Sequence, residues 1–270
     1  MLGSVATGFF QRLAQSAQEH DSLLCVGLDP PLEGLADGAV LPFTRRVLDA
    51  ACDLACCCKP NAGFFEARGL AGLEALAATI EHAHARGLPV ILDAKRGDIA
   101  SSAAAYATAA FAAWGADAVT VNPLLGGDSV EPFTAWTDRG VFLLCHTSNP
   151  GAKDLQELAV GPEAQPLYLR IARAASSWNV QGNVGVVVGA TYPREIDAVR
   201  RAAPGLWMLL PGVGSQGGDL EASVRAGLRP DGSGIIVNVS RAIAQSPDPA
   251  GAARELRDRI NAARPRSAPA

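Results

Sequence analysis

Eight short apolar runs recur along the chain, and polar residues mark where each one stops. LLCVGLD (23–29), ACCCKPN (55–61), PVILDAK (89–95), AVTVNP (118–123), VFLLCHT (141–147), VGVVVGA (184–190), WMLLPGV (207–213) and GIIVNVS (234–240) are continuous apolar stretches, not alternations of apolar and polar positions. A parallel strand buried on both faces has that signature. Between them lie Ala-rich segments such as GLEALAATIEHAHARG (72–87) and SSAAAYATAAFAAWG (101–115), with helical periodicity and a closing glycine. Eight strands, each followed by a helix, predict an α/β chain folded as a (β/α)8 TIM barrel. A doubly wound open sheet is the structural rival, but it commonly has fewer strands, and its GxGxxG turn is missing after the first run. No Pro/Ser-rich linker divides the 270 residues, so a single domain over 1–270 is expected. Residues 1–20 read as an extra N-terminal helix and 263–270 as a frayed end.

The polar residues gather at the strand exits: Asp29, Lys59, Asp93 with Lys95, Asn122, Thr147 with Ser148, Thr191, Gln216, and Ser240 with Arg241. A barrel carries its chemistry at that rim. Asp93 and Lys95 stand two apart on one strand, which points both to the same side. Lys59 ends the neighbouring strand, and Asp98 follows where the next helix begins. The expected result is an alternating Lys59–Asp93–Lys95–Asp98 array. Opposite charges about 4 Å apart attract by about 4 kcal/mol at an effective dielectric near 20, so flanking carboxylates keep each lysine protonated. A protonated lysine in a closed pocket can stabilise a developing carbanion and then protonate it. Two plainer readings stand beside this one: Asp98 as a helix N-cap, and Asp93 with Lys95 as a rim ion pair. Four charges at adjacent strand ends are nonetheless costly to desolvate without a use.

An anion grip is expected opposite the array. LPGVGSQGGD (210–219) follows the seventh run, and Arg241 starts a helix after the eighth. Glycines bring backbone N–H groups close to an anion, Arg can fork onto phosphate oxygens, and barrels commonly bind phosphate after strands seven and eight. Taken alone, the Gly-rich loop reads equally well as ordinary turn chemistry.

Composition narrows the partners. A net charge of −4 argues against general nucleic-acid binding, which needs a basic face. The six cysteines (25, 52, 56, 57, 58 and 145) have neither zinc-ribbon nor CxxC spacing and read as buried, reduced thiols. No signal-peptide pattern or bilayer-length apolar run occurs, so a cytoplasmic protein without a membrane partner is expected. HExxH, Walker A and GxSxG motifs are missing. His82 and His84 point different ways on one helix, and His146 has no evident carboxylate or thiol partner and reads as a structural loop residue.

With these residues in view, DAKRGD (93–98), GLDP (27–30), KPN (59–61), PGVGSQGG (211–218) and VSRAI (239–243) together resemble the orotidine 5'-phosphate decarboxylase family. The string DAKRGDI is similar to its mycobacterial-type bacterial branch. The resemblance runs from about Leu23 to Ala242 with the motif order kept. It implies a ribulose-phosphate-binding type of barrel that decarboxylates orotidine 5'-phosphate to UMP, with no cofactor and no metal. It also implies roles. Asp29 would bind a ribose hydroxyl, and Lys59 would bind ribose and steady the array. Asp93 would face the scissile carboxylate, and Lys95 would protonate C6. Asp98, joined by Ser102, would enter the neighbouring subunit's site, giving a homodimer with shared active sites. Ser148 would read the pyrimidine. Gln216 would bridge loop and phosphate, Arg241 would hold the phosphate, and residues 214–219 would close over the ligand. Asn122 is added as a substrate-binding residue from its strand-exit position. Ser102 stands where many relatives carry Thr, and stretches 30–42 and 149–166 lengthen the rim loops. Two rivals stay open: a Mg2+-dependent sugar-phosphate decarboxylase or aldolase on a related barrel, and a non-catalytic barrel that senses UMP.

Overall fold

The structure is a computed structural model that describes residues 7–212 and 219–265. Eight strands form its centre: β1 (Leu24–Leu28), β2 (Cys57–Pro60), β3 (Ile91–Arg96), β4 (Ala118–Val121), β5 (Gly140–His146), β6 (Val184–Val188), β7 (Trp207–Pro211) and β8 (Ile235–Val239). All pair in parallel, in the order β2-β1-β8-β7-β6-β5-β4-β3. The two ends of that order meet through the parallel bridges Cys58–Val90 and Asn61–Asp93, which close the sheet into a barrel. A helix follows each strand in turn: α2 (Val40–Ala51), α3 (Gly69–Ala85), α4 (Ala100–Thr108), α5 (Gly127–Thr134), α6 (Leu167–Trp178), α7 (Pro193–Ala202), α8 (Leu220–Gly227) and α9 (Pro249–Ala262). The continuous apolar runs are explained by position, since one face of each strand fills the barrel and the other meets helices. Every residue of β1, β2, β4, β6 and β8 is buried.

Local chemistry sets the helix ends. Gly87 and Gly115, just past the helical segments that precede β3 and β4, take φ of +75° and +72°, a conformation a Cβ would strain. Asp219 caps α8 by accepting the Ala222 N–H at 2.9 Å, and Asp248 caps α9 by accepting that of Gly251 at 3.0 Å.

The extra helix α1 spans Phe9–Glu19 within the expected 1–20. It stoppers the N-terminal mouth of the barrel. Phe9 and Phe10 lie edge-on to Phe142 with ring centres 6.1 and 5.4 Å away, and Phe10 stacks on Trp207 at 6.0 Å. Beneath them Asp117 accepts from Arg12 at 3.0 Å, His84 at 2.9 Å and the Val90 N–H at 2.9 Å, tying α1 and the end of α3 to the entry of β4.

The segment 101–115 is helical as expected, α-helical to Thr108 and then a π turn over Ala109–Ala113 that carries buried Phe111 against Trp136. One expectation is corrected. The frayed end does not begin at 263: Ala263 is buried, and Arg264 pairs with Asp21 at 3.1 Å. The long excursion after β5 carries a short helix (Ala152–Leu155) and a two-residue antiparallel pairing of Ala159–Val160 with Gln165–Pro166.

Candidate active site

At the C-terminal rim one carboxylate holds two lysines. Lys59 Nζ lies 2.6 Å from Asp93 Oδ2, and Lys95 Nζ lies 2.6 Å from Asp93 Oδ1. Thr120 Oγ1 donates to Asp93 Oδ1 at 3.0 Å. Lys59 and Asp93 are buried, at 3% and 8% exposure, whereas the Lys95 side chain is 48% exposed at the cavity mouth. Burial alone would raise the Asp93 pKa, but the charges of Lys59 and Lys95 outweigh it and hold the carboxyl well below its ordinary range. Burial would likewise lower Lys59, and the carboxylates of Asp93 and Asp29 push it above its ordinary value instead. The result is a buried carboxylate clamped between two lysine side chains, the exposed one lining the cavity.

Asp93 and Lys95 do share a side, though not along an even strand. Lys95 sits at φ +48°, and the β3–β4 ladder shifts register between Leu92 and Arg96. The Lys95 N–H goes to Thr120 Oγ1 at 2.9 Å. A non-glycine residue held in this left-handed region costs about 1–3 kcal/mol and persists only where its surroundings over-determine it.

The cluster floors a cavity of about 400 Å³ lined also by Asp29, Ser148, Ser240 and Arg241. Arg241 begins the short helix Arg241–Ala244 that follows β8, and it lines the same cavity as Lys59 and Asp93. Asp29 Oδ1 and Ser240 Oγ are buried and have no hydrogen-bond partner among the described residues. Buried polar atoms are normally satisfied, so these two mark where a polar ligand group would dock.

Other expected site residues lie elsewhere. Asp98 does not join the cluster: its Oδ1 accepts the N–H of the adjacent Ile99 at 2.8 Å. Ser102 is exposed on α4 and away from the cavity lining. The four-charge array is therefore a three-charge cluster within one chain. Asp98 is not the N-cap of α4 either, since that position belongs to Ile99. Asn122 is not brought into the cavity, because its Oδ1 caps the turn Pro123–Leu125 by accepting the Leu124 N–H at 3.1 Å. Gln216 and the proposed closing loop, apart from Asp219, lie outside the described residues.

His146 has the carboxylate partner the sequence did not reveal. It is fully buried between the ring edges of Tyr168 and Tyr192, with Nε2 3.3 Å from Glu157 Oε1. His82 and His84 pair separately with Asp49 and Asp117. All six cysteines are buried and free.

Asn61, Thr120, Asn149 and Asn238 also line the cavity and were not singled out. For two of them a signal was present. Thr120 in AVTV and Asn238 in IIVNV are lone polar residues inside strands buried on both faces. Such a residue needs a polar interior to face.

Comparison with known proteins places the chain. A model of the Orotidine 5'-phosphate decarboxylase / HUMPS family matches residues 22–256. The orotidine 5'-phosphate decarboxylase of Roseiflexus castenholzii is 48% identical over 269 residues, covering 94% of this chain and 98% of that protein. The chain belongs to the orotidine 5'-phosphate decarboxylase family. Its class is accordingly that of the carboxy-lyases. Among solved structures, Leishmania donovani OMP decarboxylase superposes with a TM-score of 0.88 at 48% identity, covering 95% of this chain and 98% of that one. Leishmania donovani UMP synthase matches with a TM-score of 0.90 at 49% identity, and there the chain spans 56% of the longer protein. The stretch that matches the orotidine 5'-phosphate decarboxylase model contains every residue of the three-charge cluster together with Asp29, Ser148 and Arg241.

Proposed function

We propose that this cavity takes orotidine 5'-phosphate, releases the C6 carboxyl group as CO2 and returns UMP, the last step of UMP biosynthesis. The observation that carries the reading is the buried Asp93 carboxylate clamped between two ammonium groups, one of them open to the cavity. Cleavage of the C6–CO2 bond leaves its electron pair on C6. A Lys95 ammonium proton then neutralises that carbanion, and the pair becomes the C6–H bond. Asp93, beside the departing carboxylate, holds Lys95 in place. Enzymes can lower barriers by up to roughly 23 kcal/mol, and one lysine does not supply that alone. Binding of the remote phosphate by Arg241 and Gln216 contributes through orientation and closure. Asp29, with its unpartnered buried oxygen, suits a ribose hydroxyl, and Ser148 suits the pyrimidine edge.

The working form is a homodimer of single-barrel subunits with shared sites. Asp98 and Ser102 do not line their own cavity, which suits residues that serve a neighbour. Exposed Leu70, Ile99, Leu124 and Leu125 lie on the segments after β2, β3 and β4, giving that flank an apolar surface for a second copy. No described helix is long and apolar enough to cross a membrane, and six unpaired thiols suit a reducing, cytoplasmic compartment.

The deciding measurement follows orotidine 5'-phosphate by absorbance with and without EDTA. Consumption that survives the chelator is expected. UMP binding with no consumption would mark a sensor, and chelator-sensitive turnover of a sugar phosphate would mark the related aldolase or decarboxylase.

A further inference from the structure

The wall formed by Thr147, Ser148 and Asn149 leaves β5 just after its final ladder position, where His146 pairs with Val188 across a register shift. From there the backbone has no strand neighbour to fix it. Gln156, eight residues beyond Ser148 in the excursion after β5, takes over that task. Its Oε1 accepts the Thr147 N–H at 2.7 Å, and its Nε2 donates to Thr147 Oγ1 at 2.9 Å. Thr147 Oγ1 in turn donates to Asn149 Oδ1 at 2.7 Å, so one side chain orders the first and last residues of the wall. Gln156 is itself anchored at both ends: its N–H donates to Ala152 O at 2.8 Å, and its carbonyl accepts the Tyr168 N–H at 2.9 Å. Behind the wall stands Gly189, whose N–H donates to His146 O at 2.7 Å. A Cβ on Gly189 would come within 2.7 Å of the Ser148 N and Cα, so Ser148 rests directly on bare backbone.

We infer that Gln156 is a positioning residue for base recognition, which with Gly189 fixes where Ser148 meets the ring of the ligand. The inference rests on the proposed reading of the cavity as a pyrimidine nucleotide site. A free Thr147 segment would have many backbone states, and ordering it only on binding would weaken affinity for the base. Neither residue lines the cavity or bonds to Lys59, Asp93 or Lys95, so binding at the phosphate and ribose ends is expected to depend little on them.

The test is calorimetric titration of the full chain with UMP and with ribose 5-phosphate. In Gln156→Ala, UMP affinity is expected to fall roughly ten-fold, the loss of one half-buried hydrogen-bonded clamp, while ribose 5-phosphate changes by less than about two-fold. Gln156→Glu keeps an acceptor for the Thr147 N–H and is expected to recover most of the UMP affinity. Should Gln156→Ala not fold, Gly189→Ala displaces Ser148 from behind and is expected to show the same selective loss. Equal losses for both ligands, or unchanged UMP affinity in the variant that folds, would overturn the clamp. A parent protein that binds ribose 5-phosphate but neither UMP nor orotidine 5'-phosphate would instead sink the reading beneath it.

Discussion

The backbone N–H of Lys95 donates to the hydroxyl of Thr120 at 2.9 Å, and the same hydroxyl donates to Asp93 Oδ1 at 3.0 Å. One side chain on β4 thus fixes both the bulged backbone of Lys95 and the carboxylate that holds its side chain. Thr120→Val keeps the shape and deletes both bonds, leaving a buried N–H and one carboxylate lone pair unmet. The expected cost is about 1–3 kcal/mol of stability, together with a fall in kcat of at least about ten-fold as Lys95 loses its set position. Denaturant titration and steady-state kinetics check this. Parent-like kcat in a correctly folded Thr120→Val protein would show that the bulge holds itself.

Lys95→Ala removes the ammonium that reaches into the cavity while leaving Lys59–Asp93 paired. Turnover is expected to fall by at least about a thousand-fold, with UMP binding still measurable by calorimetry. Near-normal turnover would refute the role of Lys95 as proton donor.

Arg241 stands at the start of its short helix on the cavity wall and is proposed to hold the phosphate of the ligand. Arg241→Ala is expected to weaken UMP by roughly a hundred-fold while leaving uridine, which lacks the phosphate, nearly unaffected. Equal UMP affinity in the variant and its parent would remove Arg241 from the phosphate grip.

The barrel was legible because strands buried on both faces must be apolar throughout, and each apolar run ended where a strand ends, within a few residues. The paired charges were legible for a related reason: Lys59, Asp93 and Lys95 are the residues that interrupt those runs at their exits. The path of β3 was not legible. Period-two spacing predicted a shared side for Asp93 and Lys95, yet the chain reaches it through a left-handed residue and a register shift, which the residue types do not announce. Asn122 shows the opposite failure. A polar residue at a strand exit serves a site or caps the next turn, and only the Leu124 N–H beside it decides between them. The Glu157 partner of His146 comes from a long excursion whose return path has no pattern in the sequence.

The charge cluster also makes a statement about pH. The folded pKa of Asp93 is depressed, because Lys59 and Lys95 together outweigh the burial that opposes them. Its contribution to stability is therefore present above its ordinary value of 3.8 and is lost as the pH falls through the depressed folded value. Lys59 is raised, so its contribution is present below 10.5 and is lost only as the pH climbs through the higher folded value. Across the range between those limits the pair stays charged and its contribution is flat. Asp93→Asn leaves Lys59 buried beside a neutral amide and is expected to cost about 3–5 kcal/mol near neutral pH. The gap between parent and variant should hold from weakly acidic to weakly alkaline solution and narrow toward about pH 3, where the parent begins to lose the same interaction. Urea midpoints measured for both proteins across that range provide the check. A gap as wide in strong acid as at neutrality would mean that Asp93 is stabilised by packing and not by the two ammonium groups.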